Sequence, residues 1–380
     1  MLEKSERVKK LQGSERTQRK LIIPKDTIRL DMGEPDFPTP IHIQEAATRA
    51  MQENYTHYAN AYGEEELREA VCSSLKRDFG VEREPGNVLI TAGGISAIHT
   101  ISATYLDPGD EALIPDPEYS AYADSVSLFG GTPVFAPLKP DFHLDFDALE
   151  KRISKRTRML FVSSPGNPTG RILRNDEIRW LARLAVEKDL LLVVDEVYCK
   201  LLYGGAKFLS ICQIEEVRDR SIMVNSFSKA YAMTGWRVGY MVADAPIIKD
   251  LVTFHKAMTI CPNVPAQRAC IAALNGPQDC VEAMQSEYEE RKVLVENRLK
   301  EIRRITVSPC EGAFYFFIRF EHSLTSQQMA EYLFNKGIAV RSGTEYGSNG
   351  EKYFRICFAT SMETLNAGMD RLKQALDDLK

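Results

Sequence analysis

The chain has 380 residues, of which 44% are hydrophobic and 27% are charged, and its formal net charge is −5 at pH 7. The length suits two or three domains, and the composition is that of a soluble globular protein rather than a disordered one. The negative net charge, without any basic block, argues against a dedicated nucleic-acid-binding protein.

The first twenty residues are highly charged and contain no apolar run. They do not resemble a signal peptide, and we expect a solvated arm or helix there. No stretch of the sequence is long and apolar enough to span a bilayer, so no membrane partner is expected.

The cysteines and histidines favour neither a disulfide framework nor a metal site. There are 8 cysteines and 6 histidines, with no CxxC pair and no HExxH motif. Most of the cysteines are therefore expected to be buried thiols, the compartment is expected to be a reducing cytoplasm, and no catalytic metal is expected.

The middle of the chain alternates short apolar runs with amphipathic stretches. The runs predicted as strands are 111–116, 132–138, 158–165, 190–196, 221–227 and 237–243. A helix is predicted over 175–188, with Asn175 as its N-cap. Strands that are apolar throughout and separated by helices indicate a parallel sheet covered on both faces, which is an α/β fold.

After residues 275–277 the pattern changes to that of a smaller α+β unit. A long charged helix is predicted over about 278–304, and the later predicted elements are strands at 313–320, 337–343 and 352–359, a helix at 326–336 and a final helix. We place the domain boundary in the long helix. The expected division is an N-terminal arm with a small-domain segment (1–40), a large domain (41–285) and a small C-terminal domain (286–380).

Polar residues follow several predicted strands, where ligands of open parallel sheets bind. They are Asn167, Asp195, Tyr198, Ser226, Ser228 and Lys229. The segment TAGGISAI (91–98) ends a short strand and opens a helix with two glycines, which suits a phosphate bound by backbone N–H groups.

A single requirement explains this set of residues. Lys229 lies beside a segment that reads as a buried strand, where a lysine is costly unless its charge is removed or used. A phosphorylated pyridine aldehyde bound to the lysine as a Schiff base would use the amine. A carboxylate would hold the ring nitrogen protonated, and hydroxyls with an arginine would bind the phosphate.

Six separated motifs carry a family resemblance. In chain order they are GEPDFPTP, YANAYGEEELREA, TAGG, SPGNPTG, VVDEVY and SFSKAYAMTGWRVGY. With them the chain resembles the fold-type I pyridoxal-phosphate enzymes of the class I/II aminotransferases. The resemblance implies a large domain with a mostly parallel seven-stranded sheet covered by helices, plus a smaller α+β domain.

The resemblance also implies site residues. Lys229 would carry the cofactor and then move the proton, Asp195 would pair with the pyridine nitrogen, and Asn167 and Tyr198 would donate to the 3′-oxygen. The remaining implied residues are Tyr119 for stacking on the ring; Gly94, Ile95, Ser226, Ser228 and Arg237 for the phosphate; Tyr58 for the phosphate of the neighbouring subunit; and Arg355, Gly33 and Asn167 for the substrate. The implied assembly is a homodimer with shared active sites.

The implied activity is amino transfer from an L-amino acid to a 2-oxo acid such as 2-oxoglutarate, in two half-reactions. A β-lyase or an aminocyclopropane-carboxylate-synthase-like enzyme is an alternative, distinguished by release of pyruvate and ammonia without an added oxo acid. A pyridoxal-phosphate-sensing regulator is a remote alternative, because only about 30 residues precede the first motif and a winged helix needs more.

Ile95 bears on the substrate. Aspartate-selective members of the subgroup carry a cation for the second carboxylate, in some a lysine directly after the two glycines. Ile95 occupies that position here, so neutral or aromatic donors are expected to be favoured over acidic ones. The alternative is a cation recruited from the N-terminal segment, such as Arg16 or Arg19, or an arginine of the partner chain.

Overall fold

The computed structural model describes residues 3–11 and 23–379. Its helices, in chain order, are α1 (Glu6–Leu11), α2 (Ile41–Gln52), α3 (Glu65–Phe79), α4 (Gly94–Tyr105), α5 (Ala121–Leu128), α6 (Phe146–Arg152), α7 (Asn175–Lys188), α8 (Phe227–Ala230), α9 (Ala245–Thr259), α10 (Val264–Asn275), α11 (Asp279–Lys300), α12 (Ser326–Asn335) and α13 (Met362–Asp377). Its strands are β1 (Ile28–Arg29), β2 (Val88–Thr91), β3 (Glu111–Asp116), β4 (Thr132–Pro137), β5 (Thr157–Ser163), β6 (Leu191–Asp195), β7 (Ser221–Ser226), β8 (Gly239–Ala243), β9 (Ile305–Val307), β10 (Tyr315–Phe320), β11 (Ile338–Ala339), β12 (Arg341–Ser342) and β13 (Tyr353–Cys357).

The largest sheet has seven strands in the order β2-β8-β7-β6-β5-β3-β4. Strand β8 runs antiparallel to β2 and β7, whereas the pairs from β7 to β4 are parallel. The predicted α/β fold with a mostly parallel seven-stranded sheet is therefore confirmed.

Two hydrophobic cores cover the two faces of this sheet. On β5, Leu160 and Val162 pack into a core that includes residues of α3, α7 and α10. Met159 and Phe161 point the other way, into a core with residues of α4, α5 and α9. Because successive side chains of a strand alternate between faces and both faces are covered, the middle strands are apolar over most of their length.

The C-terminal part is built on a four-stranded antiparallel sheet in the order β12-β13-β10-β9. Its core includes residues of α11, α12 and α13 and also Leu30 from the N-terminal part. Along α11, Val281 belongs to a core of the large sheet, whereas residues from Met284 onward belong to this third core. We propose the division into 1–40, 41–285 and 286–380, which this change of core supports.

Two local predictions were wrong. Residues 337–343 do not form one strand: β11 pairs in parallel with β1, and β12 pairs with β13 in the other sheet, so the chain changes partners between them. Asn175 is the first residue of α7 rather than its N-cap, which is Arg174. The buried Glu177 carboxylate accepts a hydrogen bond from the Arg174 backbone N–H at 2.8 Å and so satisfies the helix start.

In the part of the chain that the structure describes, none of the helices combines the length and the apolar character needed to cross a membrane. Within residues 3–11 and 23–379 there is also no group of three or more His, Cys, Asp or Glu side chains placed to hold a metal ion.

Candidate active site

A cavity of about 320 Å³ lies where the parallel strands of the large sheet meet the C-terminal part. Strands β5, β6 and β7 end side by side there, since Ser163 pairs with Asp195 and Asp195 pairs with Val224. The predicted residues that line the cavity are Gly33, Gly94, Ile95, Tyr119, Asn167, Asp195, Tyr198, Ser226, Ser228, Lys229, Arg237 and Arg355.

Tyr58 is the predicted site residue that does not line this cavity. Its side chain is 81% exposed. Arg16 and Arg19 lie outside the described residues.

Lys229 is carried by the short helix α8, directly after β7. Its Nζ donates to the Gly33 carbonyl oxygen at 2.5 Å and lies 5.7 Å from the centre of the Phe314 ring. Burial lowers the pKa of the Lys229 amine to about 8, because an ammonium loses its hydration there. An amine with such a pKa is partly neutral near pH 8 and can act as a nucleophile or as a base.

Asp195 ends β6 and is held from two sides. One oxygen, Oδ2, accepts from the Tyr122 hydroxyl at 2.9 Å, and Oδ1 accepts from the Val197 N–H at 3.2 Å. Burial raises the pKa of the Asp195 carboxyl to about 6, while these hydrogen bonds and the charge of Lys229 act against that rise. A cation placed against Asp195 would oppose this rise in pKa, so the carboxylate would stabilise a protonated ring nitrogen bound there.

The start of helix α4 and the end of β7 form a cradle for an anion. Gly93 precedes α4 with φ 84°, and a Cβ there would collide with the Arg237 guanidinium. The Ser226 and Ser228 hydroxyls lie 2.8 Å apart, and the Ser226 hydroxyl also accepts from the Ser228 N–H. Backbone N–H groups at a helix start, two hydroxyls and a guanidinium are the donors that a phosphate requires.

Arg355 lies on β13 and is buried, with 4% of its surface exposed. It donates to Asn167 Oδ1 at 2.9 Å and to the Asp31 carbonyl at 2.7 Å, and its guanidinium carbon lies 4.2 Å from the centre of the Tyr315 ring. Its buried Nε has no hydrogen-bond partner among the described residues. A buried donor without an acceptor is costly, so this geometry is suited to a carboxylate ligand.

Two tyrosine hydroxyls meet beside the lysine. Tyr198 and Tyr315 share a hydrogen bond of 2.7 Å. A Cβ at Gly33 would collide with the Tyr315 hydroxyl, so a glycine is needed where this loop passes the ring. The ring of Tyr119 lies edge-on to that of Tyr122, with the two centres 5.6 Å apart.

The cavity also contains residues that the sequence analysis missed, namely Tyr122, Tyr315, Arg341, Glu345 and Tyr346. Tyr122 lies three positions after Tyr119, the residue predicted to stack on the ring. The two side chains therefore lie on the same side of the chain. Tyr315 lies in the predicted strand 313–320, whose residues are mostly apolar. Only the hydroxyl of its own side chain indicates that it could have a polar role. No local sequence pattern identifies Arg341 as a cavity residue, because its position depends on the pairing of β12 with β13.

A buried lysine and carboxylate at the carboxyl edge of a parallel sheet, beside a phosphate cradle, define an enzyme that holds a phosphorylated pyridine aldehyde. Comparisons with known proteins agree. The family model described as aminotransferase class I and II matches residues 25–372. The chain belongs to this family; it is a transaminase and it depends on pyridoxal phosphate.

Relatives with two different names match nearly the whole chain. An aspartate aminotransferase of Pyrococcus abyssi is 39% identical over 363 residues, covering 94% of this chain and 93% of that one. Aromatic-amino-acid aminotransferase 2 of Thermococcus litoralis is 39% identical over 360 residues, covering 93% and 92%. The crystal structure of an aromatic aminotransferase from Pyrococcus horikoshii has a TM-score of 0.90 at 38% identity, covering 93% of this chain and 97% of that one.

The residues present fit pyridoxal phosphate. Lys229 offers an amine of lowered pKa, Asp195 a carboxylate fixed by two donors, and the start of α4 a cradle that a side chain at Gly93 would fill. The buried Nε of Arg355, which has no hydrogen-bond partner among the described residues, is suited to a carboxylate ligand.

Proposed function

We propose that this aminotransferase moves the amino group of a neutral or aromatic L-amino acid to a 2-oxo acid such as 2-oxoglutarate. The observation that carries the preference is the pair of side chains facing the substrate. Ile95 brings an apolar group to the cavity, and the cation nearby, Arg341, already contacts the Glu345 carboxylate at 3.3 Å. An acidic side chain would therefore meet no uncommitted cation among the described residues of the cavity, except by displacing Glu345.

Each site residue has a proposed task. Bound pyridoxal phosphate supplies an aldehyde carbon that bonds to amines and a ring that accepts electrons. Lys229 would form that bond and, once released, would carry a proton between the substrate Cα and the cofactor C4′. Asp195 would keep the proton on the ring nitrogen.

The remaining residues would bind and orient. Asn167 and Tyr198 would donate to the 3′-oxygen, and Tyr119 would lie on the ring face. The phosphate would be held by the N–H groups of Gly94 and Ile95 with the side chains of Ser226, Ser228 and Arg237. Arg355 would hold the substrate carboxylate with both arms of its fork, and the backbone at Gly33 would close the substrate side.

The donor preference can be measured directly. With 2-oxoglutarate as acceptor, kcat/KM for phenylalanine, tyrosine and leucine is expected to exceed that for aspartate. An acidic donor either displaces Glu345 from Arg341 or buries a carboxylate without a partner, which costs several kcal/mol. Each buried methylene of a neutral donor contributes about 0.8 kcal/mol. Ile95→Lys should raise kcat/KM for aspartate, and Ile95→Leu, which keeps size and charge, should not. If wild-type enzyme prefers aspartate over every neutral donor by about tenfold, which is about 1.4 kcal/mol, the preference is refuted.

A homodimer with shared active sites is also proposed. Tyr58 is 81% exposed, so its side chain is accessible to a second copy of the chain. If Tyr58 serves the neighbouring site, a heterodimer of Tyr58→Phe and Lys229→Ala chains has one site with both defects and one with neither. After subunit exchange, the activity of a 1:1 mixture should exceed the mean of the two separate variants.

The matched control is Tyr55→Phe, because the Tyr55 ring lies 4.5 Å from the Arg268 guanidinium of its own chain. Its mixture with Lys229→Ala should equal the mean of the parents. A fully active monomer in sedimentation experiments, or a Tyr58→Phe mixture that only equals the mean, would refute shared sites.

A reducing compartment such as the cytoplasm is the proposed location. All eight cysteines are free thiols, and five of them are buried. Burial raises the pKa of Cys199, Cys212 and Cys310 to about 12, which keeps these thiols protonated and inert.

A further inference from the structure

A second arginine lies directly across from Arg355 in the C-terminal sheet. Arg341 on β12 and Arg355 on β13 are register partners in an antiparallel pair. Directly opposed residues share one face of a sheet, and both arginines line the active-site cavity. Like charges directly opposite each other in a sheet are unfavourable unless anions neutralise them, so anionic groups are expected beside this pair.

The contacts of Arg341 are long for an ion pair. Its Nη1 lies 3.3 Å from Glu345 Oε2, its Nε lies 3.4 Å from the Asp31 carbonyl oxygen, and its Nη2 lies 3.6 Å from Asp31 Oδ2. Charge-assisted hydrogen bonds are usually about 2.7–2.9 Å. A carboxylate placed in the cavity could therefore bind Arg341 more closely than these groups do.

Asp31 has a better partner elsewhere. Arg29 holds both of its carboxylate oxygens, at 2.6 and 3.1 Å. Glu345 remains as the carboxylate that neutralises Arg341 within the cavity, and its side chain is 5% exposed. The Arg341–Glu345 contact is thus the element that an incoming carboxylate would exchange.

We infer that Arg341 is a specificity-determining residue that binds the distal carboxylate of a dicarboxylic substrate such as 2-oxoglutarate, in exchange for its contact with Glu345. The inference rests on the proposed function, because it assumes that Arg355 holds the other carboxylate. With a neutral substrate, Arg341 keeps Glu345 and no charge is left unpaired. One cavity can thus accept a neutral donor and a dicarboxylic acceptor in alternate half-reactions.

The test compares two unreactive ligands of equal length on the pyridoxal-phosphate-loaded enzyme. Glutarate has two carboxylates and pentanoate has one. Calorimetric titration should show that Arg341→Met weakens glutarate binding about tenfold or more and changes pentanoate binding less than about threefold, because a charge-assisted pair is lost only for glutarate. The double variant Arg341→Met/Glu345→Gln should show the same selective loss, and it removes both members of the Arg341–Glu345 contact if the single variant folds poorly.

Two further variants sharpen the result. Glu345→Gln removes the competing carboxylate, so glutarate should bind more tightly than to wild type. Arg319→Met removes a positive charge from an exposed position on β10 of the same sheet. It should leave the binding of both ligands unchanged. The inference is overturned if the Arg341 variants bind glutarate as wild type does, or if they lose both ligands in equal proportion.

Failure of the proposed function would look different. In that case the wild-type enzyme would transfer no amino group from any neutral donor to 2-oxoglutarate. The binding comparison would still decide whether Arg341 holds a second carboxylate.

Discussion

Replacing Lys229 with alanine is expected to abolish covalent attachment of pyridoxal phosphate and to lower kcat by at least about 10³-fold. The amine is buried, its pKa is lowered to about 8 by that burial, and it lies in the same cavity as the phosphate cradle and Asp195. One side chain would supply both the bond to the cofactor and the base that moves the substrate proton. Removing it should therefore affect both functions together.

Attachment can be measured without turnover. Borohydride reduction of wild-type protein, followed by peptide mass spectrometry, should find the reduced cofactor on the peptide that contains Lys229. The matched control is Lys256→Ala, since Lys256 is exposed on α9 and outside the cavity. A reducible protein–cofactor adduct of wild-type yield in Lys229→Ala would refute the assignment.

The Asp195→Asn variant is expected to slow removal of the substrate α-proton by about 10- to 10³-fold while leaving the fold intact. A nearby opposite charge shifts a pKa by about one to three units, and each unit is a factor of ten in equilibrium. Without the carboxylate, the ring nitrogen loses its proton more easily and accepts electrons less well. The two side chains are nearly equal in size, so packing around β6 should persist.

Exchange of the α-proton into D₂O, followed by NMR, isolates this step from product release. Tyr122→Phe is the graded control, because it removes one donor to Asp195 and leaves the carboxylate in place. The rate of α-proton exchange should fall less in Tyr122→Phe than in Asp195→Asn. Wild-type exchange rates in Asp195→Asn, with thermal unfolding unchanged, would exclude the role proposed for this carboxylate.

Much of the fold could be predicted from local pattern. The apolar runs of the large sheet were located to within one or two residues, because β5, β6 and β7 are buried on both faces and carry few polar residues until they end. The segment 337–343 was predicted wrongly because its residues are apolar enough for one strand, whereas its two halves pair with different partners. No local property of the segment specifies that change.

Most of the candidate site could be predicted for a related reason. In a parallel sheet, the strand ends lie at one edge, so polar residues directly after strands converge without knowledge of loop paths. Asn167, Asp195 and Lys229 follow that rule and line one cavity. Tyr58 follows no such rule, and the role proposed for it requires a second chain.

The sequence by itself determined the α/β class, the strand ends that meet at the cavity, and the lysine, carboxylate and glycine pair that suit a phosphorylated aldehyde. Only the tertiary structure decided that Tyr122 donates to Asp195, which is 73 positions away, and that Arg341 lies across from Arg355 beside Glu345. The physical reason is the range of the interactions. Burial and chain direction leave a local pattern in the residues, whereas strand register and side-chain packing depend on contacts between distant segments.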